Sequence, residues 1–92
     1  MIRLTLAALI VALVALPASA ECFVDYKAKQ NDPLRLHYGV AEVSACDTGG
    51  AGAELVPRLA ADGWTLLTVL STFGPEGLEE RKDSAGAYFL RY

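Results

Sequence analysis

Few side chains in this 92-residue chain could do chemistry, and their spacing narrows the chemistry further. His37 is the only histidine. Acid–base or nucleophilic catalysis through it needs a nucleophile or an orienting carboxylate within reach. Asp25 is predicted to share its sheet face, but no convincing nucleophile accompanies the pair. Cys22, Cys46 and His37 could offer three ligands to a metal. No Cys-x-x-Cys or His-x-x-x-His spacing supports that use. Asp47-Thr48-Gly49-Gly50 precedes a helical segment and could hold an anion on free N–H groups. It lacks the Lys-Ser/Thr of a phosphate loop and reads as a flexible connection. Glu79-Glu80 reads as part of a solvated loop rather than an acid/base pair. Trp64 reads as core rather than as a ligand platform. No catalytic, cofactor-binding or metal-ligating residue is assigned on this basis.

The first twenty residues read as a secretory signal peptide. Arg3 supplies a positive n-region, and Leu4 to Leu16 is apolar apart from Thr5. That run is shorter than the roughly 20 residues a membrane-spanning helix requires. Pro17 breaks it, and Ala18-Ser19-Ala20 forms a small-x-small cleavage site, placing the cut between Ala20 and Glu21. Glu21 stands where a lipoprotein signal needs a small residue before Cys22, so lipid anchoring is rejected. The expected product is one domain, residues 21–92, periplasmic or secreted, with no transmembrane segment after processing. It carries seven Lys/Arg against eleven Asp/Glu, a net charge of −4, which argues against a general nucleic-acid binder. In an oxidising compartment Cys22 and Cys46 read as a disulfide.

Alternation then places the elements. Cys22, Val24, Tyr26 and Ala28 share one face of a strand. Leu34, Leu36, Tyr38 and Val40 share one face of a second strand. Asn31-Asp32-Pro33 is turn chemistry. Pairing Tyr26 with Tyr38, Val24 with Val40 and Ala28 with Leu36 matches three apolar pairs and leaves a three-residue turn. After a Gly/Ala/Ser linker from Ser44 to Gly52, a helix is expected over 53–62, with Leu55, Val56, Leu59 and Ala60 on its apolar face. Pro57 implies either a late start or a kink. Gly63 suits a left-handed C-cap, with Trp64 packing back on Leu59. Residues 65–73 read as a strand buried on both faces. Residues 78–86 read as a charged loop, and 87–92 as a closing strand. The sum is an α+β domain of ββαββ order: a largely antiparallel sheet, one helix on one face and one disulfide.

The stretch Leu55-Val56-Pro57-Arg58-Leu59-Ala60-Ala61-Asp62-Gly63-Trp64-Thr65-Leu66-Leu67-Thr68-Val69-Leu70, closed by Tyr88-Phe89-Leu90-Arg91, resembles a family of small bacterial βαββ proteins filed as a domain of unknown function. Its members share a Gly-Trp after the helix and a closing aromatic-Leu-basic strand. The hairpin residues Asp32-Pro33-Leu34-Arg35-Leu36-His37-Tyr38-Gly39 resemble uncharacterised exported proteins of Gram-negative bacteria. The resemblance implies a fold and no activity, cofactor or catalytic residue. The extra hairpin, the signal peptide and the cysteine pair depart from the simpler members.

One patch remains. The expected register sets Lys29 opposite Arg35 and Lys27 opposite His37, and like charges directly opposite destabilise a sheet. Lys and Arg on a solvent-facing hairpin also discourage pairing between exposed edges. The functional reading is an anion-facing patch of Lys27, Lys29, Arg35 and His37 on an acidic protein. The expected function is a non-enzymatic interaction module of the cell envelope, its partner an envelope protein or an anionic surface. The alternative is a small-ligand binder or minor enzyme with a pocket between helix and sheet, which a cavity lined by Tyr26, Tyr38 and Trp64 would favour.

Overall fold

The structure, a computed structural model, describes residues 21–92. The expected signal peptide, with Ala20 on one side of its cleavage site, lies outside the described residues. Strands β1 (Cys22–Gln30), β2 (Arg35–Val43) and β3 (Thr65–Phe73) form one antiparallel sheet in the order β2-β1-β3. Helix α1 (Thr48–Ala60) covers one face. A short helix α2 (Glu79–Ala85), flanked by single 3-10 turns at Pro75–Gly77 and Gly86–Tyr88, packs over β2. The α+β class, the antiparallel sheet, the helix on one face and the Cys22–Cys46 disulfide, with Cα atoms 5.4 Å apart, are all as expected.

The register differs from expectation by one residue. Tyr26 pairs with Gly39, Ala28 with His37 and Lys27 with Tyr38. Gln30 pairs with Arg35, so the turn spans four residues, Asn31 to Leu34, rather than three. The cause lies at Tyr26, which is fully buried. Its ring lies across the backbone of Gly39, where a Cβ would come within 2.6 Å of Tyr26 Cζ. Only glycine permits that approach. A one-residue shift moves every side chain of β2 to the other face. Toward the middle of β2 this carries little burial penalty, because both faces are covered there, but it leaves Leu36 exposed at the hairpin end. Ala41 and Val43 join Val24, Tyr26, Leu55, Leu59 and Trp64 in the core under α1. Val40 is buried on the second face, along with Phe23 and Asp25.

Helix α1 begins earlier than expected, within what reads as linker. Asp47 caps it by accepting from the Gly50 N–H at 2.8 Å. Pro57 lies inside the helix rather than in its first turn. Gly52 brings the helix close to β3, since a Cβ there would touch Val69 at 3.4 Å. The C-terminus closes as expected. The Trp64 N–H donates to the Leu59 carbonyl and the Gly63 N–H to that of Ala60, both at 3.0 Å, with Gly63 at φ +81°.

Two expectations for the second half are corrected. Residues 79–85 are helix, not charged loop, and residues 87–92 form no strand. Instead the Leu90 N–H donates to the Val40 carbonyl at 2.8 Å, and the tail runs beside β2 with a single bridge at Phe89. Strand β3 is not buried on both faces. Its pairing with β1 skips Leu70 and then Leu67. These two bulges leave Leu66 and Val69 packed on the core, while Leu67 and Leu70 remain 49% and 46% exposed.

Candidate functional site

The register separates the expected patch. Lys27 and Lys29 stand on the sheet face away from α1, beside Leu36 and Tyr38. Arg35 and His37 face the α1 side. The Arg35 guanidinium lies 5.8 Å from the Trp64 ring. His37 is buried and leaves the patch altogether. The apolar pairs used to set the register are matched in the sequence, but the close approach of Tyr26 to Gly39 outweighs them.

His37 is enclosed by aromatic rings. Tyr88 stacks on it at 3.7 Å between centroids, and Trp64 meets it edge-on at 4.3 Å. Its Nε2 shares a 3.0 Å hydrogen bond with the Tyr26 hydroxyl, and Nδ1 is buried without a partner. Burial pushes the His37 pKa down, and the positive charge of Arg91 adds to the effect. Burial also pushes the Tyr26 hydroxyl well above its ordinary value. Asp25 lies on the opposite face, so the shared sheet face that alternation allowed for His37 and Asp25 does not occur. The histidine is a neutral member of the core beneath the tail.

Asp25 instead anchors a second polar cluster. Its carboxylate accepts from Ser71 Oγ at 2.7 Å, Tyr38 Oη at 2.9 Å and Arg81 Nε at 3.1 Å. Burial raises its pKa, but those three donors and the Arg81 charge outweigh burial and hold it below the usual carboxylate value. Burial, and then the bond to Asp25, push the Tyr38 hydroxyl up to about 12. Arg81 also lies 3.9 Å above the Phe73 ring and donates to the Gly77 carbonyl at 2.8 Å. Every strong donor around Asp25 is already spent on it. The cluster fastens α2 to the sheet. It was missed in the sequence because Arg81 lies 56 residues from Asp25 in what read as a loop.

The remaining sequence candidates find internal roles. Cys22 and Cys46 are joined in the disulfide, so neither thiolate is free to bind metal with His37. The Asp47 carboxylate occupies the Gly50 N–H that an anion would have used. Glu80 pairs with Arg81 at 3.0 Å on the surface of α2. Trp64 is buried in the core. Tyr26 and Trp64 lie on the α1 face and Tyr38 on the other, so no cavity is lined by all three.

What the fold leaves uncovered is its hairpin end. Leu34 and Leu36 are each 65% exposed. Leu36 and Leu67 line an open depression of about 270 Å³ with Lys27, Ala28, His37 and Tyr38. Leu70 borders the adjoining hollow, where Lys27 and Tyr38 meet α2. On the other side of the hairpin, Arg35 and Arg91 line a third depression, of about 290 Å³, with Gln30, Asp62, Trp64 and Tyr88. Charge is divided along the molecule. The hairpin end holds Lys27, Lys29, Arg35 and Arg91 against Asp32 and Asp62. The rest of residues 21–92 holds three basic groups against nine acidic ones. The bulges that deliver Leu67 and Leu70 to this surface cannot be read from an apolar run alone.

Compared with protein-family models, with curated proteins and with solved structures, the chain matches none of them. Among the described residues no helix is long and apolar enough to cross a membrane.

Proposed function

We propose that residues 21–92 form an exported, non-enzymatic binding module of the cell envelope that engages its partner through the hairpin end. The observation that carries this reading is the coincidence, at one end of an acidic domain, of three strongly exposed leucines with a local excess of positive charge. Scattered surface leucines are ordinary, but a grouped apolar patch rimmed by charge marks an interaction surface. The disulfide supports export. The internal saturation of Asp25 and the enclosure of His37 support a binding role over catalysis. The order helix, Gly-Trp cap, strand from Leu55 to Leu70 supports kinship with the small bacterial βαββ proteins it resembles, while residues 87–92 do not form the closing strand those proteins share. A second reading, capture of a small anionic ligand between Arg35 and Arg91, is favoured by the depression those residues share.

The test is site-specific cross-linking in the cell that makes the protein. A photoreactive residue replaces Leu36 in one variant and Asp83 in another, each in the full chain. Adducts at position 36 and not at 83 are expected. Adducts at 83 alone, or equally at both, overturn the assignment of the hairpin end.

A further inference from the structure

We infer that the partner of the hairpin end is an anionic lipid bilayer, into whose headgroup layer the hairpin tip inserts. The inference rests on the binding role proposed for this end and goes further by naming what is bound. Its first support is the placement of the apolar groups. Leu34 lies in the turn itself, Leu36 one residue into β2 and Leu67 near the start of β3. They stand together at the hairpin end of the domain, Leu34 at the turn and Leu36 with Leu67 around the open depression beside it.

The second support is the placement of the charges. Lys27 and Lys29 rise from one face of the sheet, and Arg35 and Arg91 from the other side of the hairpin. A partner that docks against one face alone would leave half of these charges unused. An interface that surrounds an inserted tip meets both faces at once, and this ring of basic groups fits it. The third support is the local excess of basic groups at the hairpin end of an otherwise acidic domain, which favours approach of this end to a negative surface. Asp32, the one carboxylate of the turn, keeps the tip at headgroup depth.

The experiment is vesicle flotation of the protein as the cell exports it, with the core and disulfide of the described residues intact. One set of vesicles contains phosphatidylglycerol and phosphatidylcholine in equal parts, the other phosphatidylcholine alone. The protein is expected to float with the anionic vesicles, to remain behind with the neutral ones, and to bind less as salt rises. Replacing Lys27, Lys29 and Arg35 with Gln should weaken binding by about a hundredfold, taking roughly 1 kcal/mol per basic residue near an anionic surface. Replacing Leu34, Leu36 and Leu67 with Ser should weaken it about tenfold or more. Asp32→Asn should strengthen it. These side chains lie at the surface, so each variant should melt like the parent. Where one does not, Leu36→Ser or Lys29→Gln alone takes its place.

No binding to anionic vesicles at low salt, or equal binding to both kinds, overturns the inference. Binding that ignores the leucine substitutions overturns insertion and leaves charge adsorption alone. A protein adduct captured at position 36, together with no vesicle binding, overturns the bilayer while leaving the binding role of this end intact. Absence of any adduct at position 36 overturns that role itself.

Discussion

Replacing Asp25 tests whether the second face of the sheet is held by charge or by shape. The carboxylate is buried, at 6% exposure, and accepts from three donors at 2.7, 2.9 and 3.1 Å. Asp25→Ala strands all three beneath α2. The loss of one member of a buried ion pair costs about 3–5 kcal/mol. Arg81 retains some access to water, with its side chain 23% exposed, so the lower end of that range is expected. Asp25→Asn behaves differently. With its carbonyl oxygen turned toward Tyr38 and Arg81, its amide can donate to Ser71, whose hydroxyl rotates to accept. Every hydrogen bond survives and only the charge is lost. The cost should then be about 1–2 kcal/mol, the difference between charge-assisted and neutral bonds.

The parent also separates from the variants by pH, because only the parent carries a group that titrates at this position. Asp25 has a folded pKa below its ordinary 3.8. Its contribution is therefore complete above that value and is lost as the pH falls through the folded pKa. Urea unfolding from pH 7 down to pH 2, comparing parent with Asp25→Asn, isolates this contribution from that of other carboxylates. The difference should shrink below pH 4. Hydrogen exchange should show α2 opening first in Asp25→Ala. An alanine variant less than 1 kcal/mol below the parent, or no more destabilised than the asparagine variant, would refute the clasp.

Three further outcomes are expected. Gly39→Ala should destabilise by more than 2 kcal/mol in denaturant melts, roughly the overpacking range, and Tyr26→Leu in the same chain should recover part of that loss; no recovery would show that the ring is not the obstacle. Reducing the Cys22–Cys46 bridge, which closes a sequence separation of 24, should cost about 3 kcal/mol in the chain-entropy treatment, read as a lowered melting midpoint with dithiothreitol, and native protein should titrate no free thiol. The His37 ring protons should titrate below the ordinary 6.5 in NMR, so its contribution to stability is full above pH 6.5 and declines as the pH falls below that value; a midpoint at or above 6.5 would place the ring in water.

The hairpin, the helix and its Gly63-Trp64 cap were legible because each carries a local signal of fixed period or fixed turn chemistry. The register was not, because β2 offers two plausible inward sets. Leu34, Leu36, Tyr38 and Val40 are the larger, and Gly39, Ala41 and Val43 the smaller. Size favoured the first, but α1 covers the second. The discriminating signal was Gly39 itself, small enough to accept the Tyr26 ring. Helix α2 was hidden by its seven-residue length, too short to display a period. Its terminal chemistry was visible nonetheless, with Glu79 and Glu80 in the first turn and Lys82 in the last. The start of α1 was masked by glycines of low helix propensity, which the Asp47 cap and the close packing of Gly52 on Val69 overcome.

The expected patch is split between the two faces of the hairpin, yet its three basic residues remain at one end of the sheet, and the reason bears on function. Burial by the tail withdraws His37 and leaves Lys27, Lys29 and Arg35 at the surface. The same one-residue register that turns Leu36 away from α1 also places it beside Leu67, which a bulge turns outward. Helix α2 covers the second face over Asp25, Val40 and Phe23 and stops short of these leucines. Folding alone would favour covering them as well, since each buried leucine contributes roughly 1.5–3 kcal/mol. A chain this short has few such contributions to leave unused. The fold itself gives these leucines no cover, which is what the binding role proposed for the hairpin end requires.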